Sequence, residues 1–145
     1  MSEDKRKVVI VPCSGIGKTY GTVSREAAYE VTEEARPEQT RLVALSLLVL
    51  GDEVTRATVA ASPAITIDGC KLMCAAKMVR ESGGTVAKEI AVLEVFRRHK
   101  QLKPKGIAEL NEAGLALARV VAGEVVAEVD ALVGEAAGTK ERRDG

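Results

Sequence analysis

Two apolar, β-branched runs in this chain each end in a glycine-containing turn that leads into a helix-forming stretch. Residues 7–12 (KVVIVP) precede the Gly-rich turn 13–21, and residues 64–67 (AITI) precede Asp68 and Gly69. A short apolar run bounded by turn residues is typical of a buried strand. Strands that alternate with helices favour a parallel sheet covered by helices on both faces. We therefore expect an α/β protein, a small three-layer fold with a mostly parallel sheet.

The C-terminal part of the chain predicts a long helix, because apolar residues recur at helical spacing over residues 107–133. The pattern over residues 86–96 fits either a helix or a strand. We favour a strand near residues 89–95, because an α/β sheet needs a further member. Three more helices are predicted over residues 23–35, residues 41–61 with an interruption at Gly51-Asp52, and residues 71–82.

The length of 145 residues predicts one domain that can bury a sizeable core. The hydrophobic fraction of 46% and charged fraction of 29% are typical of a globular chain. We expect an ordered part from about residue 7 to residue 135, with charged tails at both ends.

Composition argues against nucleic-acid and membrane partners. Lys plus Arg and Asp plus Glu both number 21, so the chain has no net positive charge that would attract phosphate groups. Aromatic residues make up only 2%, so few side chains are available for base stacking. The longest strongly apolar run, residues 42–50, is shorter than the roughly 20 residues that span a bilayer. Residues 1–11 lack the apolar stretch of a signal peptide. Three cysteines cannot form a closed disulfide framework, so we expect a reduced, cytoplasmic protein.

The three cysteines are the candidate functional residues. Cys70 and Cys74 lie four residues apart at the start of a predicted helix, which would place both sulfurs on one face, about 5–6 Å apart at Cβ. A helix N-terminus also favours thiolate over thiol. Cys13 follows the other strand, so all three sulfurs converge on the carboxyl edge of the sheet if the two strands are neighbours. Thiolates are preferred zinc ligands. The pattern therefore predicts a zinc site of Cys13, Cys70 and Cys74. Gly15 and Gly69 are expected to let the backbone approach this site closely.

Several interpretations of these cysteines stay open. Zinc needs a fourth ligand, for which water, Asp68 and His99 are the candidates, and Asp68 can instead orient a ligand. An iron–sulfur cluster is the alternative cofactor. The same thiols can serve redox or sulfur-transfer chemistry, with Cys70 as nucleophile and Cys74 or Cys13 as the resolving thiol. Free cysteines also simply pack in protein cores.

The turn after the first strand contains Gly17-Lys18-Thr19, the ending of a phosphate-binding P-loop. That motif begins with glycine at the position where this chain has Pro12, and proline lacks the N–H and the freedom in φ that the loop needs. We therefore interpret the segment as a strand-to-helix turn and expect no nucleotide site.

The chain resembles the DGC-domain family, whose members are described as zinc-binding, over about residues 8–84. The family carries four cysteines, and the resemblance implies that Cys13, Cys70 and Cys74 are metal ligands. The fourth family cysteine falls in residues 39–43, which contain none. The resemblance rests on Cys13-Ser14-Gly15, Gly21, Ala27-Ala28, Asp68-Gly69-Cys70, Cys74 and Lys77.

Neither the residues nor the resemblance defines a reaction or a substrate, so enzymatic activity stays open. A third hypothesis is an accessory subunit of a larger redox or one-carbon complex. In that case the helix over residues 107–133 would provide the surface for a protein partner or for a homodimer.

Overall fold

A parallel sheet of four strands forms the centre of the protein. The computed structural model describes residues 7–13 and 18–144, with side chains described up to residue 134. The strand order is β2-β1-β3-β4, and every neighbouring pair is parallel. The predicted α/β fold with a parallel sheet is therefore confirmed. The strands are β1 (Val8–Pro12), β2 (Thr40–Leu42), β3 (Pro63–Asp68) and β4 (Thr85–Ala91).

Six α-helices connect and follow the strands in the described part of the chain. Helix α1 continues without a break into a π-helical segment, Glu30–Ala35. The predicted long C-terminal helix is confirmed as α6. No helix within the described residues combines the length and the apolar character needed to cross a membrane. The helices are α1 (Thr19–Tyr29), α2 (Leu45–Leu50), α3 (Glu53–Ala61), α4 (Cys74–Glu81), α5 (Val92–Arg98) and α6 (Glu112–Asp144).

Alternating side chains of the sheet face two separate apolar cores. In β1, Val8 and Ile10 pack with α1, α5 and α6, whereas Val9 and Val11 pack with α2, α3 and α4. This alternation follows from the period of two in a strand, and it gives the three-layer arrangement that the sequence predicts. The apolar stripe of α6 belongs to the first core, where Leu117 and Val121 are fully buried. The stripe therefore faces the core, and a partner surface on this helix stays a hypothesis.

The prediction of a helix over residues 41–61 is wrong at its beginning. Thr40–Leu42 forms the edge strand β2, which pairs with residues 8–10 of β1. The predicted interruption at Gly51-Asp52 is confirmed, because Gly51 adopts a left-handed conformation with φ of 78° and ends α2. The carboxylate of Asp52 then accepts a hydrogen bond from the Thr55 amide (3.0 Å) and begins α3.

The strand predicted near residues 89–95 is β4, which lies earlier in the chain, at Thr85–Ala91. The second half of the predicted range belongs to helix α5. The sheet ends at Ala91, and α5 starts at Val92 because Val92 and Val95 are both buried at helical spacing. Helix α1 starts before the predicted residue 23, at Thr19. Helix α6 starts after the predicted residue 107, because the Asn111 side chain accepts a hydrogen bond from Gly114 N–H (2.8 Å) and caps it.

Candidate functional site

The carboxyl ends of β1 and β3 form the crevice at which ligands of open α/β sheets bind. These strands are neighbours, yet β1 leads to α1 on one face of the sheet and β3 leads to α4 on the other. Such a reversal opens a gap between the two connections. Cys13 follows β1 immediately, and Cys70 follows the last residue of β3 by two positions. The two strands are neighbours, which was the condition for the predicted convergence, and their adjacency brings two of the three cysteines to one edge.

Gly69 brings the β3–α4 connection into direct backbone contact with the beginning of α1. A Cβ atom at this position would lie 2.7 Å from the carbonyl carbon of Tyr20 and 2.8 Å from the amide nitrogen of Gly21. Because only glycine fits there, the amide of Gly69 comes within 3.1 Å of the Cys13 Sγ atom and donates a hydrogen bond to it. The expected tight approach at Gly69 is confirmed, whereas Gly15 lies outside the described residues.

The Cys13 side chain is held by hydrogen bonds on two sides. It is 6% exposed, and its Sγ lies 3.3 Å from the Ser24 Oγ of α1. The hydroxyl of Ser24 donates its single proton to the Gly21 carbonyl oxygen (2.7 Å). The Cys13 thiol therefore donates to Ser24 and accepts from Gly69, which fixes the direction of the sulfur. Ser24 is not among the site residues predicted from the sequence. The available signal was a hydroxyl within the stripe of small residues at positions 21, 24 and 28, which packs inward.

Cys13 and Cys70 line the same cavity, which we call the thiol cavity. Its volume is about 250 Å³, below the roughly 300–1,000 Å³ of sites for drug-sized ligands. Lys18, which is exposed, also contributes to its wall, and the wall is almost entirely apolar. Two cysteines thus line one small, largely apolar space. The remaining lining residues are Tyr20, Gly21, Gly69 and Leu93.

The prediction that Cys70 and Cys74 share one helical face is wrong. Helix α4 begins at Cys74, so Cys70 lies in the preceding turn. Met73 separates them with φ of 53° and ψ of 46°, a left-handed conformation that a helix cannot continue through. As a result Cys70 is half-buried in the cavity wall, whereas Cys74 is exposed at the first residue of α4.

Asp68 determines where α4 begins. Its carboxylate is 1% exposed, and its two oxygens accept hydrogen bonds from the amides of Ala75 (2.8 Å) and Ala76 (3.3 Å). Burial raises the pKa of Asp68 above its ordinary value, and the nearby Glu89 carboxylate raises it further. The two amide hydrogen bonds and the Lys77 charge lower the pKa, but they do not cancel the effect of burial. Both oxygens are engaged, so Asp68 positions the segment that carries Cys74.

We expect the carboxyl carbon of Asp68 to titrate, in a ¹³C NMR experiment, with a midpoint above the ordinary value of 3.8. The raised pKa means that the unfolded chain loses this proton first as the pH rises. The contribution of Asp68 to stability is therefore complete below pH 3.8 and is lost as the pH rises through the folded-state pKa. A midpoint at or below the ordinary value would show that the amide hydrogen bonds outweigh burial.

The described residues do not assemble a complete metal centre. Among them, no three His, Cys, Asp or Glu side chains are grouped so that they could hold a metal ion. Cys13 and Cys70 line one cavity, and Cys74 does not line it. His99 follows the C-terminus of α5, about 10 Å along the helix from the end of β4. The site of Cys13, Cys70 and Cys74 therefore stays a prediction.

The fold and the cavity define a class of protein: a parallel three-layer α/β domain with a pair of thiols at the carboxyl edge of its sheet. Residues 9–113, more than half of the chain, match the family described as DGC domain. The chain belongs to the DGC domain family, as the sequence motifs predict. No curated protein and no solved structure matches it.

Proposed function

We propose that this protein binds zinc through the thiolates of Cys13, Cys70 and Cys74. The observation that carries the proposal is the thiol cavity, which Cys13 and Cys70 both line at the carboxyl edge of the sheet. Thiolate sulfur is a preferred zinc ligand, and a zinc ion with an open position supplies Lewis-acid chemistry when bound.

The hydrogen bond from Gly69 to Cys13 supports a thiolate ligand at that position. An N–H donor stabilises negative charge on the sulfur, and Gly69 N–H points at Sγ from a backbone that cannot move away, because Gly69 packs on Tyr20 and Gly21. The thiol proton that Cys13 now donates to Ser24 would leave when the metal binds. Ser24 would then turn its own hydroxyl from Gly21 towards the sulfur.

Cys74 joins this site only if the turn before α4 moves. Residues 70–73 are held by a long hydrogen bond from Met73 N–H to the Cys70 carbonyl oxygen (3.4 Å). The left-handed conformation of Met73 costs about 1–3 kcal/mol, which a rearranged turn would recover. We propose water as the fourth ligand, because the Asp68 oxygens already accept hydrogen bonds and His99 lies beyond α5.

Competition for zinc against a chromophoric chelator tests the proposal. The Cys70→Ala variant is expected to bind zinc on the order of a hundredfold or more weakly than the wild type, because it loses a ligand. The affinity of the wild type should fall steeply as the pH drops, because thiol ligands must be deprotonated. Lys71→Ala, an exposed change in the same turn, is the matched control and should bind like the wild type. Equal affinity in the Cys70 variant would contradict the proposal.

Thiol–disulfide exchange is the second candidate function, and the accessibility of Cys70 and Cys74 favours it. The Cys70 sulfur would attack an external disulfide, forming a mixed disulfide and releasing one thiol. Cys13 or Cys74 would then displace the second thiol, so that the external disulfide takes up two electrons and the protein gains an internal disulfide.

Anaerobic incubation of the metal-free protein with oxidised glutathione separates the two functions. Redox chemistry predicts an internal disulfide, detected by mass spectrometry, that Cys70→Ala abolishes. A chain that only binds metal would stop at slow glutathionylation of exposed Cys74. A protein partner or homodimer, also predicted from the sequence, is tested by the size-exclusion mass of the purified protein.

A further inference from the structure

We infer that the outer surface of α2 and α3 binds a second copy of this chain, so that two copies form a symmetric homodimer. Four large apolar side chains of these helices are exposed, with exposed fractions between 42% for Leu47 and 79% for Leu50. Val49 and Val54 are the other two, and we call the four side chains the outer patch. Helices on the surface of a domain normally carry polar residues on the side away from the core. Clustered apolar side chains in that position indicate an interaction surface.

The sequence around α2 is uncharged although it lies at the surface. Residues 42–51 contain no Asp, Glu, Lys or Arg, whereas such residues make up 29% of the chain. The uncharged residues 8–12 are buried in β1, but most of residues 42–51 are exposed. Burial in the monomer therefore explains the apolar character of β1 and does not explain that of α2.

Helix α3 continues this apolar surface with small side chains. Of its nine residues, all of which the structure describes, only Val59 is buried. Val54, Ala57 and Ala61 are exposed at a spacing of three and four residues, which places them on one face of the helix. Small residues on this face let another helix or a large apolar side chain approach closely.

The charges beside the outer patch favour a second copy as the partner. Glu53 and Arg56 are exposed in the first turn of α3, and neither forms an ion pair with any residue that the structure describes. In a two-fold symmetric interface, each contact from one residue to another is repeated in the opposite direction. Each copy therefore offers one negative and one positive group that the other copy can pair. The formal net charge of the chain is zero, so no overall repulsion opposes self-association.

The positions of these residues define the arrangement of the two copies. Glu53 and Arg56 flank Val54, so a two-fold axis beside Val54 brings Glu53 of each copy to Arg56 of the other. Leu50 of each copy then packs against the small residue Ala57 of the other. Two short helices make a smaller interface than that of a permanent dimer, so we expect a dissociation constant in the micromolar range.

Sedimentation velocity of the full-length protein, over a range of concentrations up to millimolar, tests the inference. Leu50→Glu is expected to weaken the dimer about tenfold or more, because it places an unpaired charge in the apolar interface. Leu50 is 79% exposed in the monomer, so this variant should keep its fold, which urea unfolding verifies. Ile107→Glu makes the same kind of change at an exposed apolar residue outside the outer patch. This matched control should dimerise like the wild type.

Exchange of the two charges tests the two-fold arrangement. Glu53→Arg and Arg56→Glu each place like charges opposite each other and should weaken the dimer. The double variant restores opposite charges across the interface and should recover most of the affinity. The inference is overturned if the wild type stays monomeric at every concentration, or if Leu50→Glu dimerises as tightly as the wild type. It is also overturned if the double variant dimerises no better than the two single variants.

Discussion

Replacing Gly69 by alanine is expected to lower the free energy of unfolding by about 2–3 kcal/mol. The new Cβ atom would lie under 3 Å from backbone atoms of Tyr20 and Gly21, and neither the end of β3 nor the first turn of α1 can move without disturbing the sheet. Displacing residue 69 also removes the hydrogen bond to Cys13 Sγ. Zinc affinity should therefore fall together with stability.

Urea unfolding of Gly69→Ala beside Gly123→Ala gives a matched comparison. Gly123 lies in α6, and among the described residues no packing neighbour lies within 4 Å of the position that a Cβ atom would take there. Alanine at this position should therefore raise stability by about 0.5–1 kcal/mol through helix propensity. Opposite signs for the two substitutions are the expected result. A Gly69→Ala variant as stable as the wild type would show that the backbone at Gly69 can move away from Tyr20 and Gly21 at no cost.

Asp68→Ala is expected to have the second largest effect, a loss of about 2 kcal/mol. The substitution leaves the amides of Ala75 and Ala76 without their acceptors, and both residues are fully buried. Relief of the cost of burying a carboxylate offsets part of this loss. Because the start of α4 then loosens, amide hydrogen exchange should accelerate in its first turn more than in its last.

Asp68→Asn separates capping from charge. The single carbonyl oxygen of asparagine can replace only one of the two acceptors. The loss of stability in Asp68→Asn should therefore be roughly half of the loss in Asp68→Ala. Urea unfolding near pH 3.8 and at neutral pH completes the test. Since the pKa of Asp68 is raised, the difference in free energy of unfolding between wild type and Asp68→Asn should shift in favour of the wild type at the lower pH. The opposite trend would contradict the account of Asp68.

The sheet and its two-sided burial were predictable because apolar periodicity is a local signal. The β-branched runs around Val8 and Ile65 are too short for helices and too apolar for surface loops, so they specify buried strands. The same signal placed Cys13 and Cys70 each at the carboxyl end of a strand. The adjacency of the two strands, which brings the cysteines to one edge, was a condition that only the structure meets. Family membership followed from the Asp68-Gly69-Cys70 motif and Cys74.

The errors lie where tertiary contacts decide local structure. Leu42 belongs to an apolar run that continues into α2, and only pairing with β1 makes residues 40–42 a strand. The start of α4 depends on Asp68, six residues before the first helical residue. The i, i+4 spacing of Cys70 and Cys74 therefore led to the wrong prediction that they share one face of a helix. The contact between Ser24 and Cys13 arises from the packing of α1 on the sheet. The stripe of small residues indicates that Ser24 faces inward, but it does not specify which side chain Ser24 contacts.

Zinc content is the most direct test of the central proposal. Elemental analysis of anaerobically purified wild type should give about one zinc per chain, and Cys13→Ala, Cys70→Ala and Cys74→Ala should each lose it. Loss in the first two variants but not in the third would exclude Cys74 from the ligand set. Wild-type protein without zinc, or zinc retained in all three variants, would contradict a thiolate zinc site in this chain.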